Sequence, residues 1–208
     1  MSEHYFTARP GSAEDLRPLA VRLAGRDLDL VTAGGVFSPD RVDLGTQVLL
    51  REVPEPPAQG DLLDLGCGWG PVTLSLALLS PQARVWGVDV NERSLDLLRR
   101  NACAAGAGNV RAALPDEVPA DLRFAALWSN PPIRVGKAVL HDMLRQWLPR
   151  LLPGASAYLV VQRNLGSDSL HRWLDETLGP DGFEVSRHAS AKGFRVLHVR
   201  APGAVPAS

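Results

Sequence analysis

From residue 61 onward, short apolar runs typical of buried strands alternate with longer segments of helical periodicity. The strand candidates are residues 61–65, 84–89, 109–113, 124–129, 155–162, 183–188 and 194–200. The helix candidates are residues 71–80, 91–104, 137–151 and 167–178. Strands that are joined by helices pair in parallel, because a parallel pair needs a long crossover connection. The alternation therefore predicts an α/β fold: a Rossmann-like, doubly wound, mostly parallel sheet of seven strands.

Both ends of the chain depart from this alternation. Only Ser190-Ala-Lys-Gly193 separates the last two strand candidates, so we expect the sheet to finish in an antiparallel hairpin. Near the start, residues 18–24 and 27–32 alternate apolar and polar side chains and predict a second hairpin, followed by a short helix over 43–53. We therefore expect three parts: a hairpin and helix extension that packs on the core (1–60), the core (61–200) and a disordered tail (201–208).

Composition excludes several classes of protein. The net charge is −1, so any contact with nucleic acid must come from a local patch. Cys67 and Cys103 fit neither a disulfide framework nor a zinc spacing, and the histidines show no metal-ligand spacing. We expect a cytoplasmic protein without a metal, because the chain has no secretory signal pattern and no apolar run long enough for a membrane.

A glycine-rich loop, Asp64-Leu-Gly-Cys-Gly-Trp-Gly70, follows the first strand of the core. In a doubly wound sheet, ligands bind at the carboxyl ends of the strands, and glycines let the backbone approach them closely. The next strand ends in Asp89, whose carboxylate can accept hydrogen bonds from both hydroxyls of a ribose. The pattern predicts a nucleoside cofactor without choosing one, although its spacing differs from the dinucleotide fingerprint. The alternative is a tight turn followed by a helix that Asn91 caps.

A second motif, Asn130-Pro-Pro-Ile133, follows the fourth parallel strand and should lie at the same edge. An amide or exocyclic NH2 group is a poor nucleophile, because its lone pair is delocalised. The side-chain carbonyl of Asn130 and the backbone carbonyl of Pro131 can each accept one of its N–H bonds, while Pro132 stiffens the loop and Ile133 packs on the planar group. The pair of motifs favours methyl transfer to nitrogen over a strand-ending Pro-Pro turn.

Together these motifs resemble those of class I S-adenosylmethionine-dependent methyltransferases. More narrowly, the chain resembles the small-domain family, which includes bacterial enzymes that methylate guanine N2 in small-subunit ribosomal RNA. The resemblance runs from about His4 to Val199 and also includes Gly35-Val-Phe-Ser38, Asp43-Leu-Gly-Thr46, Val161-Gln-Arg-Asn-Leu165 and Lys192-Gly-Phe-Arg-Val196. Two features are expected to differ from many relatives: Ile133 stands where many have an aromatic residue that stacks on the base, and we expect no counterpart of the extra N-terminal domain that the ribosomal enzymes often have.

The resemblance implies S-adenosylmethionine as the cofactor and assigns roles to individual positions. It implies cofactor binding by Asp64, Gly66, Cys67, Gly68, Gly70, Asp89, Val90, Thr46 and Phe37. It implies a catalytic role for Asn130, Pro131, Pro132 and Ile133. For the adenine contact, Asp116 and Glu117 both stay open.

Cationic residues surround the second motif in the sequence and in the segments expected beside it. They could form a phosphate-binding patch or be ordinary surface charge: Arg134, Lys137, Arg163, Lys192 and Arg195. The leading hypothesis is an N-methyltransferase that acts on the exocyclic N2 of a guanine in small-subunit ribosomal RNA. The alternatives are methylation of a protein glutamine or a small amine, and a non-catalytic module of the same fold that binds RNA or a protein partner.

Overall fold

The structure is a computed structural model that describes residues 16–203, with only the backbone described for Arg134. Its strands are β1 Arg17–Leu23, β2 Arg26–Thr32, β3 Asp61–Leu65, β4 Arg84–Val88, β5 Val110–Ala113, β6 Phe124–Ser129, β7 Leu151–Gln162, β8 Glu184–Ala191 and β9 Phe194–Arg200. Its α-helices are α1 Leu44–Glu52, α2 Pro71–Leu79, α3 Glu92–Ala104, α4 Lys137–Trp147 and α5 Ser167–Leu178.

The main sheet has the predicted topology, with strand order β5-β4-β3-β6-β7-β9-β8. Strands β3 to β7 pair in parallel, whereas β9 pairs antiparallel with both β7 and β8. The chain winds outward from β3 to β5 and then returns to β6 on the other side of β3. The point where the winding direction reverses therefore lies between β3 and β6, where ligands bind in folds of this kind.

Helices cover both faces of the sheet, and each face has its own apolar cluster. One cluster combines α1, α2 and α3 with residues such as Trp128 and Val160. The other combines α4 and α5 with residues such as Leu127 and Leu159. Because neighbouring residues of β6 and β7 point to opposite faces, these strands are apolar along most of their length.

Strands β1 and β2 form the predicted N-terminal hairpin, which turns at Ala24-Gly25. The hairpin is fixed to helix α3 through Asn101, whose Oδ1 accepts from the Val31 amide at 2.8 Å and whose Nδ2 donates to the Val31 carbonyl at 2.9 Å. Leu23 and Leu30 are buried in the cluster of that face. This anchorage brings the segment after β2 over the carboxyl edge of the sheet.

Three predicted boundaries are wrong by three or more residues, and one of them is the end of the strand predicted over 183–188, which continues to Ala191 as β8. The helix predicted over 137–151 ends at Trp147, because Pro149 has no N–H to continue it, and a 3-10 turn follows over Leu148–Arg150. Strand β7 begins at Leu151, which pairs with Phe124 through an irregular register, and not at residue 155.

At the start of the tail predicted over 201–208, the Ala201 amide donates to the Ala155 carbonyl and the Pro202 carbonyl accepts from the Gly154 amide, both at 2.9 Å. Residues 204–208 of this tail and residues 1–15 of the predicted extension lie outside the described residues. Between residues 16 and 203, no helix is long and apolar enough to cross a membrane.

Candidate active site

The glycine loop connects β3 to α2 and surrounds the carboxylate of Asp64. Asp64 is buried, and its Oδ2 accepts hydrogen bonds from the amide of Thr73 at 2.8 Å and from the Thr73 hydroxyl at 2.6 Å. Burial raises the pKa of Asp64 to about 7 against these two hydrogen bonds, and the nearby Asp89 carboxylate adds to the increase. A cation bound beside Asp64 would therefore stabilise the charged form of its carboxyl group.

Asp89, at the end of β4, fixes the glycine loop from the other side. Its Oδ2 accepts from the Gly68 amide and its Oδ1 from the Asn91 amide, both at 2.9 Å. Burial raises the pKa of Asp89 although amide hydrogen bonds from Asn91, Gly68 and Val90 oppose the increase. The predicted helix cap is confirmed, because the Asn91 side chain accepts from the Arg93 amide. Asp89 therefore shapes the loop, and a ribose would have to share oxygens that already accept backbone N–H groups.

Gly70 and Gly87 allow helix α3 to pack directly against the loop. Gly70 has a φ of 104°, and a Cβ there would lie 2.4 Å from Cδ1 of Leu98. A Cβ on Gly87 would lie 2.3 Å from Cδ2 of Leu98 and 2.8 Å from Oγ1 of Thr73. Gly70 is thus required by backbone conformation and packing, which differs from the direct cofactor contact that the sequence suggested.

Asn130 lies directly after β6, and its amide group has a defined orientation. Nδ2 donates to Oδ2 of Asp43 at 2.9 Å and to Oγ1 of Thr46 at 3.1 Å. Because a carboxylate only accepts hydrogen bonds, the amide nitrogen must face Asp43. The side-chain carbonyl of Asn130 then remains to accept a hydrogen bond from a bound molecule.

The two motifs are held together at the edge of the sheet. The Ser129 hydroxyl is buried and donates to the Leu65 carbonyl at 2.6 Å, which extends the contact between β6 and β3 beyond their ladder. The proline loop also approaches the glycine loop, since a Cβ on Gly66 would lie 3.7 Å from Cδ of Pro132. Ile133 packs against the apolar cluster of α4 and α5, so its side chain supports the loop.

The segment between β2 and α1 covers the glycine loop. Trp69 donates from Nε1 to the Ser38 carbonyl at 3.1 Å, and Asn91 donates from Nδ2 to the Gly35 carbonyl at 3.0 Å. The side chain of Phe37 is 44 % exposed in this segment, whereas Thr46 is buried. The resulting pocket is lined by Phe37, Ser38, Asp43, Thr46, Asp64, Gly66, Cys67, Gly68, Trp69, Pro71, Val72 and Asn130.

The pocket brings together most of the predicted cofactor residues and one predicted catalytic residue. Gly70, Asp89 and Val90 lie beside the pocket and not on its wall, and the Val90 side chain is 49 % exposed. Among its lining residues, the sequence analysis gave no role to Asp43 or Ser38. A helix cap could be recognised in Asp43-Leu-Gly-Thr46, but a contact with Asn130 could not.

The predicted cationic patch is only partly present. Lys137, Arg163 and Lys192 are exposed, and they follow or flank the carboxyl ends of β6 and β7. Arg195 is wrong as a surface contact, because its side chain is only 7 % exposed. Its guanidinium pairs with the exposed carboxylate of Asp168 and hydrogen-bonds the buried Ser167 hydroxyl. Its position on β9 directs the side chain to the start of α5, which the sequence pattern alone does not show. Nothing is described of the Arg134 side chain.

Comparisons with known proteins agree with this geometry. The family model described as "Methyltransferase small domain" matches residues 27–198. The uncharacterized protein YbxB of Bacillus subtilis is 33 % identical over 203 residues, which cover 96 % of this chain and 99 % of YbxB. Ribosomal RNA small subunit methyltransferase C of Hahella chejuensis is 36 % identical over 180 residues, covering 82 % of this chain and 49 % of that protein.

A solved structure has a similar fold over most of the chain. It is the 16S rRNA N2 methyltransferase RsmC of T. thermophilus in complex with AdoMet and guanosine, with a TM-score of 0.73 and 27 % sequence identity. The match covers 92 % of this chain and 52 % of that one. The chain thus spans nearly all of YbxB but about half the length of the methyltransferases whose names state a substrate.

Proposed function

The chain belongs to the methyltransferase small domain family and is a methyltransferase that uses S-adenosylmethionine, and we propose that it methylates the exocyclic N2 of a guanine in small-subunit ribosomal RNA. One observation carries the proposal: the glycine loop and Asn130 line the same pocket. A donor on the loop and an NH2 group on Asn130 would therefore meet. The Hahella chejuensis relative is named for small-subunit RNA, and the T. thermophilus structure is named for N2 and contains guanosine, which supports guanine as the acceptor.

The residues of the pocket fit the donor. The glycine loop has open space beside Gly68, where a Cβ would meet no atom within 4 Å. Asp64 offers a buried carboxyl group to the ammonium of the methionine part, and Thr73 fixes its orientation. When bound, the donor supplies a methyl group on a sulfonium, whose C–S electron pair stays on sulfur as the new N–C bond forms.

The chain's own contribution is to position the acceptor. The side-chain carbonyl of Asn130 accepts one N–H of the target amine, and the backbone carbonyl of Pro131 can accept the second. These two hydrogen bonds direct the nitrogen lone pair toward the glycine loop. Alignment of two reacting groups can contribute about 7–11 kcal/mol to a rate enhancement. The proton of the methylated nitrogen leaves to solvent after attack, so the site needs no dedicated base.

The substrate assignment predicts one modified nucleoside. When the purified protein is added to small ribosomal subunits from a strain that lacks this gene, the subunits should accept labelled methyl groups from S-adenosylmethionine. Digestion of their RNA should then yield N2-methylguanosine. Subunits from the parent strain are the control, because their target is already methylated. Label in large-subunit RNA, in ribosomal protein or in another nucleoside would contradict the assignment.

Donor binding should depend on the ionisation of Asp64. Its raised pKa means that Asp64 carries a proton below about pH 7, and this proton must leave before the carboxylate can pair with the donor's ammonium. The donor's α-amino group stays protonated between pH 7 and pH 5.5. When the pH is lowered over this range, we therefore expect the affinity for S-adenosylmethionine to fall roughly tenfold, because Asp64 becomes protonated. Calorimetry at both pH values measures this fall.

The matched variant is Asp64→Asn, which keeps an acceptor for Thr73 but has no charge. It should bind the donor weakly and with an affinity that hardly changes between the two pH values. A wild-type affinity that is the same at pH 5.5 and pH 7 would contradict the role of Asp64.

A further inference from the structure

Asp43 links the first helix of the chain to the catalytic loop. Its Oδ2 accepts from the amide of Gly45 at 2.8 Å and from the amide of Thr46 at 3.3 Å, which caps α1. The same oxygen accepts from Nδ2 of Asn130 at 2.9 Å, across 87 positions of sequence. One carboxylate oxygen therefore fixes both the start of a helix and the amide that faces the pocket.

Packing leaves this carboxylate little freedom. A Cβ on Gly45 would lie 2.9 Å from Oδ2 of Asp43 and 2.9 Å from Cε1 of Phe194, so α1 and the start of β9 enclose the group closely. Thr46 adds a second acceptor for the Asn130 amide at 3.1 Å. With both hydrogens of Nδ2 directed at fixed acceptors, the amide plane of Asn130 is determined before any substrate binds.

Helix capping alone does not require an acid at this position. Serine and asparagine cap helices about as well as aspartate. Among the side chains described between residues 16 and 203, none forms an ion pair with Asp43, and the contacts of its carboxylate are the N–H groups from which it accepts. A negative charge at the nitrogen end of an amide increases the electron density on its oxygen, because hydrogen bonds in a chain polarise one another.

We propose that Asp43 is a positioning residue for methyl transfer, which orients and polarises the Asn130 amide as an acceptor for the target NH2 group. The inference rests on the proposed function, since it takes the Asn130 carbonyl as the partner of that group. During attack the nitrogen of the NH2 group loses electron density, and its N–H bonds become stronger donors. A more negative Asn130 oxygen then stabilises the transition state more than the ground state, which accelerates the reaction.

Two substitutions at one position separate capping from positioning. Asp43→Ser keeps a helix cap but is too short to hold Asn130, so we expect the single-turnover rate to fall about a hundredfold. Asp43→Asn keeps a neutral acceptor and should lose about tenfold, because a charge-assisted hydrogen bond becomes an ordinary one. Asp40→Ser is the matched control: it removes an exposed acid of the same segment, which pairs with Arg17, and should keep the full rate.

The rate is measured with small ribosomal subunits from the deletion strain at saturating S-adenosylmethionine. Donor affinity by calorimetry and melting temperature are measured on the same proteins, and both should be close to wild type in Asp43→Ser. NMR adds a readout without any acceptor: the side-chain NH2 signals of Asn130, assigned by their absence in Asn130→Ala, should shift or broaden in Asp43→Ser.

Different outcomes overturn different statements. If Asp43→Ser keeps its rate and its Asn130 signals while Asn130→Ala is inactive, Asp43 is only a helix cap and the inference is wrong. A rate loss that follows an equal loss of donor affinity or melting temperature would also overturn it. If Asn130→Ala keeps its rate, or if the wild type labels no subunit, the proposed function fails, and the NMR comparison still decides whether Asp43 orients Asn130.

Discussion

Replacement of Asn130 by alanine should reduce methyl transfer by about three orders of magnitude and leave donor binding within about twofold of wild type. The substitution removes the one side-chain carbonyl of the proline loop that lines the pocket. It leaves the glycine loop, Asp64 and Asp89 with all their hydrogen bonds. Single-turnover kinetics with labelled S-adenosylmethionine measure the first effect, and calorimetry measures the second.

Asn109 provides a matched control for this variant. It is also half-buried, and its Nδ2 donates to the carbonyls of Ser80 and Ala83 at 3.1 and 2.9 Å, near the amino end of β5 and far from the pocket along the sheet. Asn109→Ala should therefore lower the melting temperature without a loss of rate. Unchanged turnover in Asn130→Ala would show that Asn130 is not the acceptor of the target amine.

Asn130→Ala is also expected to fold normally, and the reason lies in Asp43. Asp43 keeps its two amide partners on α1 when Asn130 is removed, so the cap of that helix survives. The reverse is not true, because Asn130 loses its charged partner when Asp43 is replaced. The rates of Asn130→Ala and of the Asp43 variants therefore test the hydrogen bond between Asn130 and Asp43 by removing its donor in one case and its acceptor in the other.

The sequence was sufficient to predict the part of the site that follows from topology. Alternating strands and helices imply a parallel sheet, and the carboxyl ends of parallel strands lie at one edge. That rule alone places the loop after β3 beside the loop after β6, as the structure does. The antiparallel pairing of β8 with β9 also follows from a turn too short for a crossover, whereas the position of β9 between β7 and β8 was not predicted.

The remaining features depend on contacts that no local pattern encodes. The hydrogen bond between Asp43 and Asn130 joins residues that are distant in sequence, and it depends on how α1 packs on β7 and β9. Arg195 lies on the predicted strand 194–200, but the sequence does not show that its side chain is buried beside the start of α5, where it pairs with Asp168. Gly70 fits a cofactor motif, whereas the structure shows that Leu98 determines the space around it.

The close approach of Leu98 leads to the second large effect. Gly87→Ala should lower the free energy of unfolding by about 3 kcal/mol, because overpacking a buried site forces side chains from their positions. For a chain of this size that corresponds to a fall in melting temperature of roughly 6–12 °C. Gly108→Ala is the matched control, since a Cβ there would meet no atom within 4 Å, and it should melt near the wild-type temperature.

The same substitution should weaken donor binding, although Gly87 does not line the pocket. A Cβ on Gly87 presses on Oγ1 of Thr73, whose hydroxyl and amide hold the Asp64 carboxylate. Adding Leu98→Ala provides space for the new methyl group, so the double variant should be at least about 1 kcal/mol more stable than the sum of the single effects predicts. Thermal melts of all four proteins measure this coupling. Purely additive effects, or wild-type donor affinity in Gly87→Ala, would contradict a steric connection from α3 through Thr73 to the donor site.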